Sequence, residues 1–212
     1  MRRVNRILIP ALAATGLLGC NANTGGGGGD VPPEGILRCV DPLTAENGAT
    51  VAVDSSINCI GCDVQNADAI IDDDAATSGT VSVPLALLGG SLSVTVGTAP
   101  GATQPAPASP GFVLNSPQTS LLGANLAQVL SVSTLLGGEV QEENVAVSLL
   151  DLDLLSLVDL GLGGSTDGAY ALLVEDTQTP FDALQLTLFS LVGANLQLDV
   201  GGACANFVLE EG

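Results

Sequence analysis

The stretch "SLSVTV", residues 91–96, decides the fold. Leu92, Val94 and Val96 alternate with Ser91, Ser93 and Thr95. In an extended chain that spacing puts three apolar side chains on one face and three hydroxyls on the other, which is the pattern of a half-buried strand. The same period of two recurs outward in both directions: "ATVAV" (49–53), "GFVLN" (111–115), "VLSVST" (129–134), "ENVAVSLL" (143–150), "YALLVED" (170–176), "ALQLTLF" (183–189) and "ACANFVLE" (203–210). Each is short, β-branched or alternating, and bounded by Gly, Pro, Asn or Asp. Turn clusters such as "TLLGG", "GLGGSTDG" and "VGG" separate them. About eight strands with no long amphipathic helix predict an all-β chain folded as an antiparallel β-sandwich. The proline-rich "TAPGATQPAPASPG" (98–111) has few ladder donors and is expected outside the sheets.

The N-terminus has a different character. "MRRVNRILIPALAATGLLGC" carries Arg2, Arg3 and Arg6, then an apolar run from Ile7 to Leu18 that is too short to span a bilayer and suits a signal peptide. Its end, "LLGC", resembles the lipobox of bacterial lipoproteins. The resemblance implies cleavage of residues 1–19 and lipidation of Cys20, with palmitate among the acyl chains. It implies a protein held to the membrane by its N-terminal lipid. Asn21, where an aspartate would signal retention in the inner membrane, points to an outer-membrane lipoprotein of the cell envelope. Residues 20–35 then read as a tether, "NANTGGGGGDVPPEG" after the cysteine. Its reach is roughly 20 Å root-mean-square. Residues 36–212 are left for the sandwich domain.

Charge narrows the function. Beyond the signal peptide Arg38 is the one basic residue, against 23 acids, and the chain has neither histidine nor lysine. No nucleic-acid partner is expected, because no cationic footprint exists. Serine or cysteine nucleophiles lack a histidine base, and histidine-bound zinc is ruled out. The remaining ligand chemistry is carboxylate, hydroxyl, amide and carbonyl oxygen, which suits hard cations such as calcium. Trp is absent and there are four Phe and one Tyr, so the ring-stacking platforms common in sugar sites are scarce.

Four cysteines follow Cys20, and an exported chain is expected to pair them. Three pairings are open for Cys39, Cys59, Cys62 and Cys204. Cys39–Cys204 with Cys59–Cys62 is favoured, because the first pair stands at the two ends of the domain and Gly61 permits a tight local bridge. A redox-active Cys-x-x-Cys needs a stabilised thiolate, and the neighbouring Asp63 disfavours one. The heptapeptides "SLLGANL" (120–126) and "SLVGANL" (190–196) read as equivalent corners of one sandwich or as a coincidence of composition. "DLDLLSLVDL" (151–160) reads either as a half-exposed strand or as a helical turn.

"CIGCDVQNADAIIDDDAAT" (59–77) resembles the opening of a β-sandwich domain found in secreted bacterial surface proteins, itself similar to discoidin or galactose-binding-like jelly rolls. "PLALLGGSLSVTVG", "PGFVLNSP" and "TPFDALQLTLFSLVGANLQL" extend the likeness over roughly residues 50–210. The resemblance implies a structural Ca²⁺ held by Asp72, Asp74 and Thr77, with Asn66 upstream and Glu210 from the last strand. Asp73 stands where the family has Gly. The resulting expectation is a lipid-anchored, non-enzymatic binding or adhesion module, its partner a glycan or an envelope protein. The alternative is a structural or assembly lipoprotein. A more remote one is a glycoside hydrolase using Asp151 and Asp153.

Overall fold

The chain divides into two units, Met1–Pro32 and Pro33–Gly212. A computed structural model describes residues 36–86, 90–115, 130–145, 169–189 and 196–210, all within the second unit. The described strands are β1 (Ile36–Pro42), β2 (Thr50–Ser55), β3 (Cys59–Ile60), β4 (Asp63–Gln65), β5 (Gly79–Val83), β6 (Leu85–Ala86), β7 (Ser91–Gly97), β8 (Gly111–Asn115), β9 (Leu130–Leu136), β10 (Glu139–Val145), β11 (Ala169–Leu173), β12 (Ala183–Phe189) and β13 (Leu196–Glu210). One sheet runs β11-β8-β13-β5-β4, with β1 added to β13. The other runs β10-β9-β12-β7-β2, and β3 pairs β6. Every pairing is antiparallel, so the chain is an antiparallel β-sandwich.

The period of two builds the core. Leu92, Val94 and Val96 of β7 are buried, as are Leu184, Leu186 and Leu188 of β12. They meet Val81 and Val83 of β5, Phe112 and Leu114 of β8, and Leu196, Leu198 and Val200 of β13 in one apolar cluster. Strand β8 is buried on both faces: Val113 joins a second cluster with Ala171, Leu173, Cys204 and Phe207 on the opposite side.

Strand β13 organises the site. On one edge it pairs β8 through Asp199–Cys204. On the other it pairs β5 through Leu196–Val200 and then β1 through Cys204–Glu210. Gly201 to Ala203 therefore form a seam between two successive partners, and the ladder with β8 shifts register between Val200 and Gly202. The Leu43 N–H donates to the Ala203 carbonyl across the seam, at 3.0 Å.

The sequence expectations differ from the fold at several strands. Strand β1, "ILRCVDP", breaks the apolar–polar pattern at Val40 and Asp41 and ends in proline, yet its exposure alternates from Leu37 on and it completes the edge of β13. Strand β10 begins at Glu139, four residues before the expected 143–150. It is an edge strand, where exposed acids are tolerated. Gly137 and Gly138, at φ 61° and 84°, make the two-residue turn before it, a conformation that favours glycine. Strand β13 starts at Leu196, seven residues before 203, and absorbs the "VGG" read as a turn. Strands β8 and β9 lie in different sheets, as do β12 and β13. Both heptapeptides, apart from Leu196, lie outside the described residues, as does 151–160.

Candidate binding cleft

The segment between β4 and β5 starts at Asn66 and buries Ile70 and Ile71, at 2% and 6% exposure. The Ala45 N–H donates to the Ile71 carbonyl at 2.7 Å, pinning the chain before it turns outward. Asp72 and Asp74 then hold the turn through their own backbone and Thr77. The Asp74 N–H donates to Asp72 Oδ1 at 3.0 Å, and the Ala76 N–H to Asp74 Oδ1 at 2.9 Å. The Thr77 hydroxyl lies 2.8 and 3.0 Å from the two Asp72 oxygens and 2.9 Å from the Asp74 carbonyl. Side-chain acceptors for nearby amides are the reason Asp and Thr favour such turns. Asp73 sits at φ 62°, the left-handed conformation that glycine favours and that Asp tolerates better than most residues.

This loop overhangs the β13 seam. Between them lies a cleft of about 120 Å³. Leu43, Ile70, Val113 and Ala203 give it apolar walls, and Gly201 and Gly202 line the seam side. The Cys39–Cys204 bridge borders it, and Asp73 and Asp74 supply its charged groups. Gly202 leaves it open: a Cβ built there meets nothing within 4 Å.

The favoured cysteine pairing is present. Cys39–Cys204 joins β1 to β13 with Cα atoms 5.9 Å apart, and Cys59–Cys62 closes the short loop, Cα atoms 5.5 Å apart. Gly61 takes φ 73° within that loop.

The residue set named for calcium is only partly brought together. Asp72, Asp74 and Thr77 share one loop, with Asn66 at its start, also left-handed at φ 53°. Glu210 is elsewhere. It pairs Ile36 at the far end of β13, seven residues beyond Ala203, which is roughly 20 Å of extended chain. Among the described residues no three His, Cys, Asp or Glu side chains converge as a metal site. The Asp72 oxygens face a hydroxyl and an amide, both donors. Cys20, Asp151 and Asp153 lie outside the described residues.

One anchoring group was not legible in the sequence. Glu142 Oε1 accepts from the Thr179 hydroxyl at 2.7 Å, the Gln178 N–H at 2.7 Å and the Thr179 N–H at 2.8 Å. Its pKa is held below the ordinary glutamate value, first by the Thr179 hydroxyl, against partial desolvation, and further by the two backbone donors. The contact ties β10 to the loop after β11 across a separation of 37 residues, which no local pattern signals.

No family model and no curated protein matches the chain. Among solved structures it is similar to CpGH89CBM32-5 from Clostridium perfringens, solved in complex with GalNAc-beta-1,3-galactose. That chain is 13% identical; the alignment covers 78% of this chain and 99% of that one, with a TM-score of 0.42. It is also similar to the enzymatically active domain of bacteriophage CBA120 tailspike protein 4, at 14% identity, 76% of this chain, 19% of that chain and a TM-score of 0.35. Neither likeness brings a ligand or an activity to this chain, and the sandwich assignment rests on its own sheets.

Proposed function

We propose that the chain is an outer-membrane lipoprotein, anchored through Cys20, whose sandwich serves as a non-catalytic binding module. The cleft at the β13 seam carries the reading: it combines an apolar interior, a charged rim and a covalently fixed border. The tether supports it, since glycines 25–29 let the domain meet a partner beside the membrane without packing on it. A composition without histidine or lysine favours recognition over acid–base or nucleophilic chemistry. The test is retention of the labelled protein on a glycan array and on whole cells. Selective retention that a Gly202→Val variant loses is the expected result; no retention of the parent protein on either contradicts the reading.

A second reading, an assembly lipoprotein that docks on another envelope protein, is favoured by one observation. Ile57, two residues before the Cys59–Cys62 bridge, is fully exposed, and Ile60, inside the loop that the bridge closes, is 64% exposed. Exposed isoleucines on a rigid loop suit an apolar pocket on a partner. Crosslinking in intact cells separates the two readings: an envelope protein that co-purifies with the parent and is lost with Ile57→Asp and Ile60→Asp supports docking.

A further inference from the structure

We propose that the cleft at the β13 seam binds an alkylammonium group, the chemistry shared by a lysine side chain of a partner and a free aliphatic amine. The inference rests on the binding-module reading and names the ligand class of its site. Three observations define the class. The walls are apolar, formed by Leu43, Ile70, Val113 and Ala203, so the occupant carries a hydrocarbon portion. At about 120 Å³ the cleft has room for a chain of about four carbons. The charged residues lining it are Asp73 and Asp74, both acidic, so the polar end of the occupant is cationic.

The two carboxylates are not equivalent. Asp74 Oδ1 is engaged by the Ala76 N–H, whereas the Asp73 side chain makes no hydrogen bond with any described residue. Asp73, at left-handed φ, lines the cleft and takes no side-chain part in the turn network that Asp72 and Asp74 share with Thr77. An ammonium at the rim has a carboxylate to pair with, while its alkyl chain replaces water against Ile70 and Leu43. The chain itself contains no lysine, so no side chain of its own competes as an alkylammonium. With one arginine against 23 acids beyond the signal peptide, an anionic ligand is disfavoured over the whole surface.

The experiment titrates the full-length purified protein with butylamine, 1-butanol and butyrate at equal ionic strength. The readouts are calorimetry and the amide resonances of Ala75, Gly202 and Ala203. Butylamine is expected to saturate with a dissociation constant on the order of 1 mM. It should bind about fivefold more tightly than 1-butanol, and butyrate should leave the resonances in place. Gly202→Val, which puts a side chain into the open cleft, should abolish binding with an unchanged melting temperature. Asp73→Asn, on an exposed turn where folding is not at issue, should weaken butylamine about threefold and leave 1-butanol unaffected. A Gly-Lys-Gly peptide that competes with butylamine identifies a partner's lysine as the source; exclusion of the peptide identifies a free amine. Equal binding of butylamine and 1-butanol, or butylamine binding that survives Gly202→Val, overturns the proposal. So does butyrate binding that Gly202→Val abolishes, although the binding-module reading would then stand with a different ligand class.

Discussion

Three consecutive aspartates follow two buried isoleucines because each has a separate task at the turn. Asp72 and Asp74 accept backbone amides, and Asp73 takes the left-handed position. Replacing Asp73 by Gly removes a backbone cost of about 1–2 kcal/mol, partly offset by the greater chain entropy of glycine at about 0.5–1 kcal/mol. Thermal unfolding of Asp73→Gly should show equal or higher stability, by up to about 1 kcal/mol, while Asp73→Val should lose about 1–3 kcal/mol. Equal stability of the two variants would reject the strained turn. The cation question is decided at the same residues. With the Asp72 oxygens turned toward donors and Glu210 at the other end of β13, millimolar CaCl₂ should raise the melting temperature no more than NaCl of matched ionic strength. A calcium increment that Asp72→Asn removes would restore the site. These residues were legible in "DDDAAT" as a turn. The position of Glu210 was not, because a motif does not state how far a strand runs past the loop it serves.

At the scale of elements, the strands that alternate strictly were readable and those defined by their neighbours were not. Strands β7 and β12 alternate because one face of each meets the core. In β1 the residue types break the alternation at Val40 and Asp41; it is a strand because β13 extends past β5 and offers a free edge. Two contacts fix such elements. Cys39–Cys204 closes a span of 165 residues along the chain, so the double change Cys39→Ser, Cys204→Ser should lower unfolding free energy by about 3–5 kcal/mol. Denaturant titration checks this, and a loss under about 1 kcal/mol would mean that the bridge does not constrain the seam. Glu142 fixes β10. Its folded pKa lies below the unfolded value, so its contribution is present in full above about 4.5 and lost as pH falls through the folded value. The parent should therefore exceed Glu142→Gln in stability at pH 7, by about 1 kcal/mol or less at this partly exposed site. That difference should shrink below pH 4.5. A difference constant from pH 7 to pH 3 would show that the carboxylate charge is not what the Thr179 donors recognise.

At the scale of the molecule, the amino-acid sequence carried the all-β class, the cysteine pairing and the Asp-rich turn. Each depends on spacing within a few residues or on the two ends of one domain. The cleft was not legible, because it arises where β5 and β1 share successive halves of β13, and its lining comes from four stretches between Cys39 and Cys204. In the proposed function the domain that holds this cleft is anchored at Cys20 through the glycine-rich residues 20–35. The most direct measurement is phase separation of the exported protein in a cloud-point detergent, comparing the parent with Cys20→Ser. A diacylated or triacylated N-terminus holds a protein in the detergent phase where a single chain gives only marginal binding. The parent is expected to enter the detergent phase, and Cys20→Ser to move to the aqueous phase with both disulfides intact. Equal partitioning of the two proteins would contradict a lipid anchor at Cys20.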